Sequence, residues 1–279
     1  MPTMTATTTA TLTDRELRAI VALVYEKSGI TLHEGKRELV AARLQKRLRQ
    51  LGLSSYQEYL TRLGHDKTGE ELTILLDAIA TNHTSFFREP QHFAFLRDQV
   101  VPRLAEKLAR AGTVDAWCAA ASSGEEPVTI SITMLEAGIE RFRLLSSDLS
   151  TKALAVARQG TYKIDRVQGV PSALLRKYFQ KGLGAQEGLA RVVPEVRRLI
   201  EYRALNLIAM ERLDRVFDFV FCRNVMIYFD KTVQQRVVSM LERHLAPGGY
   251  LFISHSESLT GITHKMQWVA PAVYRRSAP

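Results

Sequence analysis

Apolar positions recur at helical spacing through the first quarter of the chain and as strand-like runs later on. Thr13 and Glu16 form a capping box ahead of LRAIVALVYEKSG, and Gly29 closes that segment. The next helix carries Leu39, Val40, Leu44, Leu48 and Leu51 on one face, with Arg43, Lys46, Arg47 and Arg49 on the other, up to Gly52. Ser54 caps a third helix in SSYQEYLTRLG, and a fourth runs from Glu70 to Ile79. Residues 13–76 are therefore expected to form a purely helical domain, behind a disordered Thr/Ala tail over 1–12.

Residues 81–93, TNHTSFFREPQHF, break the pattern with polar residues, paired aromatics and Pro90, as a linker or lid would, and the linker is expected over 77–93. From Val114, strands and helices alternate, which predicts a doubly wound α/β domain over 94–279. Strands are expected at 114–119, 142–147, 216–222, 250–254, 267–269 and 272–275, with helices near 125–137, 151–159 and 232–245. Pro247-Gly248-Gly249 reads as a turn before YLFIS. Between Pro171 and Tyr202 the alternation fails, and glycine-rich turns separate short β-like runs. A small antiparallel insertion over about 171–203 suits that stretch better than a crossover helix.

A hydrophobic content of 46% and a charged content of 24% are those of a globular protein. No apolar run approaches the ~18 residues of a membrane span, and the N-terminus lacks the basic and apolar regions of a signal peptide. Cys118 and Cys222 sit in apolar runs without disulfide or metal spacing, so a reducing cytoplasm and no bound metal are expected. The net charge of +9 asks for an anionic partner. Six Lys/Arg against Glu34 and Glu38 between residues 34 and 51 concentrate that charge on the second helix, though a merely solvated basic face would look the same.

The densest chemistry lies in VDAWCAAASSGEEP, residues 114–127. An apolar strand stops at a Ser-Ser-Gly turn and a helix opens with Glu125 and Glu126, where open parallel sheets bind nucleotide-like ligands. An ordinary helix N-terminus would favour the same acids. Asp148 ends the next apolar run, about where a carboxylate would hold ribose hydroxyls. Only Gly124 represents the three glycines a pyrophosphate needs, and the paired acids would repel one. S-adenosylmethionine, a cationic nucleoside, suits the turn better. Asn206-Leu207 and Arg223-Asn224 could add polar groups at the strand ends, although asparagine also caps loops and Arg223 could be a surface ion-pair partner. Tyr228 could be a half-buried core aromatic, Arg88 an arginine stem over apolar surface, and His83 and His92 read as loop or surface histidines.

Taken together, TNHTSFFRE, WCAAASSGEEP, SSDLS, YFQKGLGAQEGL, FCRNVMIYFD and LAPGGYLFISHSES resemble the chemotaxis receptor methyltransferase (CheR-type) family, in the family's order, from about Thr13 to Tyr274. The resemblance implies a class I S-adenosylmethionine-dependent methyltransferase domain, a Rossmann-like doubly wound sheet. It also implies an N-terminal all-helical domain and an inserted antiparallel β-subdomain. The activity implied is methyl transfer to glutamates of chemoreceptor cytoplasmic domains, for adaptation, with S-adenosylhomocysteine as product. By the same resemblance Asn82, Thr84 and Arg88 close over the cofactor, Glu126 meets the methionine end or its surroundings, and Asp148 the ribose. Asn206, Leu207, Arg223 and Asn224 line the remainder, and Arg88 and Tyr228 lie nearest the methyl. Lys36, Arg43, Lys46 and Arg47 would then face the receptor's acidic helices, and the β-subdomain could dock a receptor's C-terminal peptide.

A monomer that neither inserts in a membrane nor binds nucleic acid is expected. Two alternatives carry different expectations. An RNA methyltransferase would use the basic helix on phosphates and bind with a steep salt dependence, but basic–aromatic interleaving is missing. A non-catalytic receptor adaptor need bind neither cofactor nor product.

Overall fold

The structure is a computed structural model that describes residues 10–209 and 213–277. Residues 1–9 of the expected tail lie outside the described residues, whereas Leu12, at its end, is buried. By contact density the chain divides into two compact units, residues 1–81 and 82–279.

The first unit holds four helices: α1 (Asp14–Ser28), α2 (Arg37–Leu51), α3 (Tyr56–Gly64) and α4 (Glu70–Ile79). The Thr13–Glu16 capping box forms, and Gly29 and Gly52 close α1 and α2 in the left-handed conformation that spares glycine a Cβ clash. Ile20 and Val24 of α1, Val40, Leu44 and Leu48 of α2, and Tyr56 and Tyr59 of α3 are all buried. The cap of α3 is Ser55, one residue later than expected; Ser54 instead bonds the Glu58 carboxylate through both its N–H and its hydroxyl.

In the second unit, α5 (Pro90–Phe95) continues through a π-helical segment into α6 (Val101–Ala111). There follow β1 (Val114–Cys118), α7 (Glu125–Glu136), β2 (Phe142–Asp148), α8 (Thr151–Gln159), β3 (Thr161–Lys163), α9 (Ser172–Tyr178), β4 (Phe179–Lys181), β5 (Leu189–Val192), α10 (Pro194–Arg197) and β6 (Ile200–Ala204). Last come β7 (Phe217–Phe221), α11 (Lys231–His244), β8 (Leu245–Phe252), β9 (Met266–Ala270) and β10 (Val273–Arg276). The main sheet has the order β6-β2-β1-β7-β8-β10-β9, parallel through β8 and antiparallel at β10 and β9. The strand order reverses between the parallel neighbours β1 and β7, so the crevice of such a sheet opens there, at the strand carboxyl ends. Phe219, Phe221 and Phe252 fill the centre, with the Phe221 and Phe252 rings stacked at 4.2 Å.

Two boundaries differ from expectation. β8 begins at Leu245, and its register against β7 skips between Phe217 and Phe219, so the Pro-Gly-Gly stretch is absorbed as an irregularity within the strand. Gly249 permits this because a Cβ there would sit 2.9 Å from the carbonyl oxygens of Ala246 and Asp218. The insertion is a sheet of order β3-β5-β4 that starts at Thr161, before residue 171, and ends at Val192. β6, expected inside it, instead pairs parallel with β2 as the edge of the main sheet. Its one-sided, largely exposed sequence IEYRA looks antiparallel because an edge strand need not be apolar on both faces.

Candidate cofactor and methyl-transfer site

Where β1 ends, the chain crosses Ala119 to Gly124 and enters α7. Four N–H groups of this turn are already committed: Ala119 to the Phe221 carbonyl, Ala121 to Ser147, Gly124 to Ala121, and Ser122 to the Asp148 carboxylate at 2.7 Å. Those four donors are not open to a pyrophosphate. Gly124 serves packing instead, since at φ +97° a Cβ would lie 2.7 Å from the Tyr162 hydroxyl and 2.9 Å from the Ala157 Cβ.

Asp148 ends β2 half-buried, accepting also from the Ser150 N–H at 2.8 Å. Asn82 ties this corner to the segment before α5: its amide reaches the Ser150 hydroxyl at 3.3 Å and its carbonyl accepts from the Ser122 hydroxyl. The Thr84 carbonyl accepts from Arg166 at 3.3 Å.

The two turn acids are not open to solvent. Glu125 is fully buried, ion-paired with Arg166 and bonded by the Ser123 hydroxyl. Glu126 pairs with Arg223 at 2.5 Å and accepts from the Cys118 thiol at 3.3 Å. The expectation that the acids repel a pyrophosphate is therefore corrected: Arg166 and Arg223 neutralise them, so free acidic charge is not what disfavours one. Arg223 is buried, not a surface partner, and is clamped between Glu126, Glu89 at 3.1 Å and the Arg88 carbonyl at 2.6 Å. Burial works against its charge, but Glu126 and Glu89 together raise its pKa. Burial pushes the Glu126 carboxyl up while Arg223 pulls it back. For Glu89, burial is outweighed by the Ser254 hydroxyl and Arg223, which hold it below the usual carboxylate range.

Arg88 bonds the His83 carbonyl at 3.1 Å, and among the described residues its guanidinium has no carboxylate partner. Tyr228 is half-buried on a 3-10 turn, Met226–Tyr228, after β7; Asn206 and Leu207 follow β6, the Asn206 side chain accepting from the Ile208 N–H at 3.2 Å. Phe87, Glu89, Ser122 and Asn224 all have positive φ, four of the five such non-glycine residues described. Strain of this kind, about 1–3 kcal/mol each, persists where surrounding contacts over-determine the backbone and clusters at functional sites.

Glu89, Ser254 and Glu257 were not singled out from sequence. A carboxylate just before Pro90 and the acid of the HSES run were the available signals. His92 is corrected as well: it is 1% exposed, and burial lowers its pKa to about 4. Glu89, His92 and His255 bring donor atoms within 4.8 Å of one another. Arg223, already on that carboxylate, supplies the positive charge there.

In the first unit Lys36 and Lys46 are exposed, but Arg43 donates to the carbonyls of Ala78, Ile79 and Ala80 at the end of α4. Arg47 forms a two-pronged pair with the buried Glu71, at 2.9 and 2.6 Å. Half of the expected docking cations thus hold their own domain together.

A half-buried carboxylate beside a strand switch point, with four of the turn's N–H groups bonded within the protein, fits a nucleoside that carries no pyrophosphate. The fold is that of a class I S-adenosylmethionine-dependent methyltransferase. The sequence profile described as "CheR methyltransferase, SAM binding domain" matches residues 82–274, and "CheR methyltransferase, all-alpha domain" matches 15–80. The chain is 39% identical to chemotaxis protein methyltransferase 2 of Pseudomonas aeruginosa, covering 94% of this chain and 93% of that one. It is 38% identical to the chemotaxis protein methyltransferase of Salmonella typhimurium, over 95% and 91% of the two chains. For that of Escherichia coli the figures are 37%, 95% and 92%. The chain belongs to the CheR methyltransferase family.

Proposed function

We propose that this enzyme methylates glutamate side chains of chemoreceptor cytoplasmic domains, giving methyl esters and S-adenosylhomocysteine in the cytoplasm of a chemotactic cell. When bound, S-adenosylmethionine supplies a methyl group activated by its sulfonium. Asp148 is assigned to the ribose hydroxyls, with Asn82, Thr84, Asn206 and Leu207 around the nucleoside. Arg223 holds Glu126 and the Arg88 backbone in place at the methionine end, beside Asn224. Arg88 and Tyr228 orient the substrate carboxylate.

The observation that carries this reading is the Arg88 guanidinium, a cation that among the described residues has a carbonyl and no carboxylate for a partner. A glutamate side chain would complete its ion pair. No general base is needed, because that acid is ionised at neutral pH. The acceleration then comes from alignment and from fixed dipoles replacing water. Lys36 and Lys46 are assigned to the receptor's acidic helices. The β3-β5-β4 sheet, whose Gly182-Leu183-Gly184 turn leaves Leu183 82% exposed, is assigned to a receptor's C-terminal peptide.

Tritiated methyl transfer to receptor cytoplasmic fragments tests the proposal. Base-labile counts on receptor are expected, and base-stable counts or counts on RNA would sink it. Arg88→Ala should lower kcat/KM by about 100-fold or more, the scale of a lost positioning cation, with the circular dichroism spectrum unchanged. Near-normal turnover would remove Arg88 from the chemistry.

A further inference from the structure

Beyond β8 the chain runs through Ile253 and Ser254 into a turn that ends at Glu257. The Glu257 carboxylate accepts five backbone N–H groups. Oε2 takes those of Asn224 at 3.1 Å and Ser254 at 2.8 Å; Oε1 takes those of Val225 at 3.0 Å, Met226 at 2.8 Å and Ile227 at 3.3 Å. No Lys, Arg or His ion pair reaches it among the described residues. Burial pushes this carboxyl up, with the N–H donors pulling it back. A half-buried carboxylate without a cation, met by a fan of N–H groups, is an anion seat turned inward.

We infer that Glu257 is a positioning residue for methyl transfer, fixing the Asn224–Tyr228 loop so that Asn224 and Tyr228 are presented in one geometry. This inference rests on the roles proposed above for those two residues. Three of the five donors, Val225, Met226 and Ile227, are the opening N–H groups of the 3-10 turn that carries Tyr228, groups that no bond within the turn can satisfy. Asn224 sits at φ +58°, a conformation a non-glycine residue keeps only under restraint. Its N–H is on Glu257, and its side-chain amide donates to the Ser254 hydroxyl at 2.7 Å. That hydroxyl in turn bonds Glu89 at 2.7 Å, next to Arg88. The carboxylate thus restrains the segment bearing Tyr228, and Ser254 links that segment to the one bearing Arg88.

Glu257→Gln is the informative change, since it keeps shape and volume. An amide has one acceptor oxygen, so either the Oε2 pair or the Oε1 trio of N–H groups would face an NH2. The expected result on full-length protein is a fall in kcat of about 10- to 100-fold, the loss of two charge-assisted bonds, with receptor KM within threefold. A purely structural role would lower the melting temperature but leave kcat per folded enzyme unchanged. In a double-mutant cycle with Tyr228→Phe, the two losses should be less than additive, because Glu257 acts through that loop. Glu257→Asp, which keeps the charge on a shorter arm, should show a smaller fall and serves if the glutamine variant does not fold. Wild-type kcat in the folded variant, or strict additivity with Tyr228→Phe, would overturn the inference. Absence of receptor methylation by the wild-type enzyme would instead refute the proposed function.

Discussion

His92 is a neutral imidazole enclosed by Phe252, His255 and Glu89, and neither ring nitrogen meets hydrogen-bond geometry. The native state holds it unprotonated down to about pH 4, whereas the unfolded chain takes up a proton near 6.5. Its contribution to stability is thus complete above pH 6.5 and is lost as pH falls toward 4. The lowered pKa is equivalent to about 3 kcal/mol. Urea melts at pH 7 and pH 4.5 should show wild type losing more stability than His92→Leu. Equal losses would mean the imidazole is solvated. Burial of this kind was invisible in sequence, because His92 follows a loop and lacks partner spacing. The same holds for Arg223: FCRN marks a polar residue at a strand end, but Glu89 and Glu126, which decide its environment, lie 134 and 97 positions away.

At the scale of elements, hydrophobic periodicity was sufficient wherever an element buries a regular face. α1, α4 and α7 and the strands β1, β2 and β7 fall within a residue or two of expectation. It failed at β6 and at the start of β8, where pairing to a neighbour, not local pattern, sets the boundary. The polar face of α2 shows the same limit. Its four cations are equivalent in sequence, yet the fold turns Arg43 onto the carbonyl end of α4 and Arg47 onto Glu71. Arg47→Ala would leave the Glu71 carboxylate, 5% exposed, with the more distant Arg62 as its one cation among the described residues. Allowing for the partial exposure of Arg47, the expected cost is about 2 kcal/mol. A denaturant midpoint equal to wild type would show that Glu71 finds water or a second partner.

For the whole molecule, a net charge of +9 and the exposed Lys36 and Lys46 predict that, if the proposed receptor substrate is acidic, encounter with it is electrostatically steered. Raising salt from about 50 to 300 mM should therefore increase receptor KM several-fold, as screening shortens the reach of those charges. Affinity for S-adenosylhomocysteine, held by short-range contacts, should change by less than about twofold. Reversing Lys36 and Lys46 to glutamate should raise KM in the same way and leave kcat intact. A salt-insensitive KM would assign receptor recognition to apolar contacts such as Leu183.

What the sequence determined by itself was the sort of elements and their order, because apolar spacing and capping residues act over a few positions. It also determined the family, because six short motifs in order are improbable by accident. The tertiary structure decided which charges are spent and which remain. Glu125, Glu126, Arg47 and Arg223 are ion-paired within the protein and Arg43 is held by three backbone carbonyls, while Arg88 has no carboxylate partner among the described residues. Ion pairs form between segments that meet only on folding, and burying a charge demands a partner whose place no local pattern records.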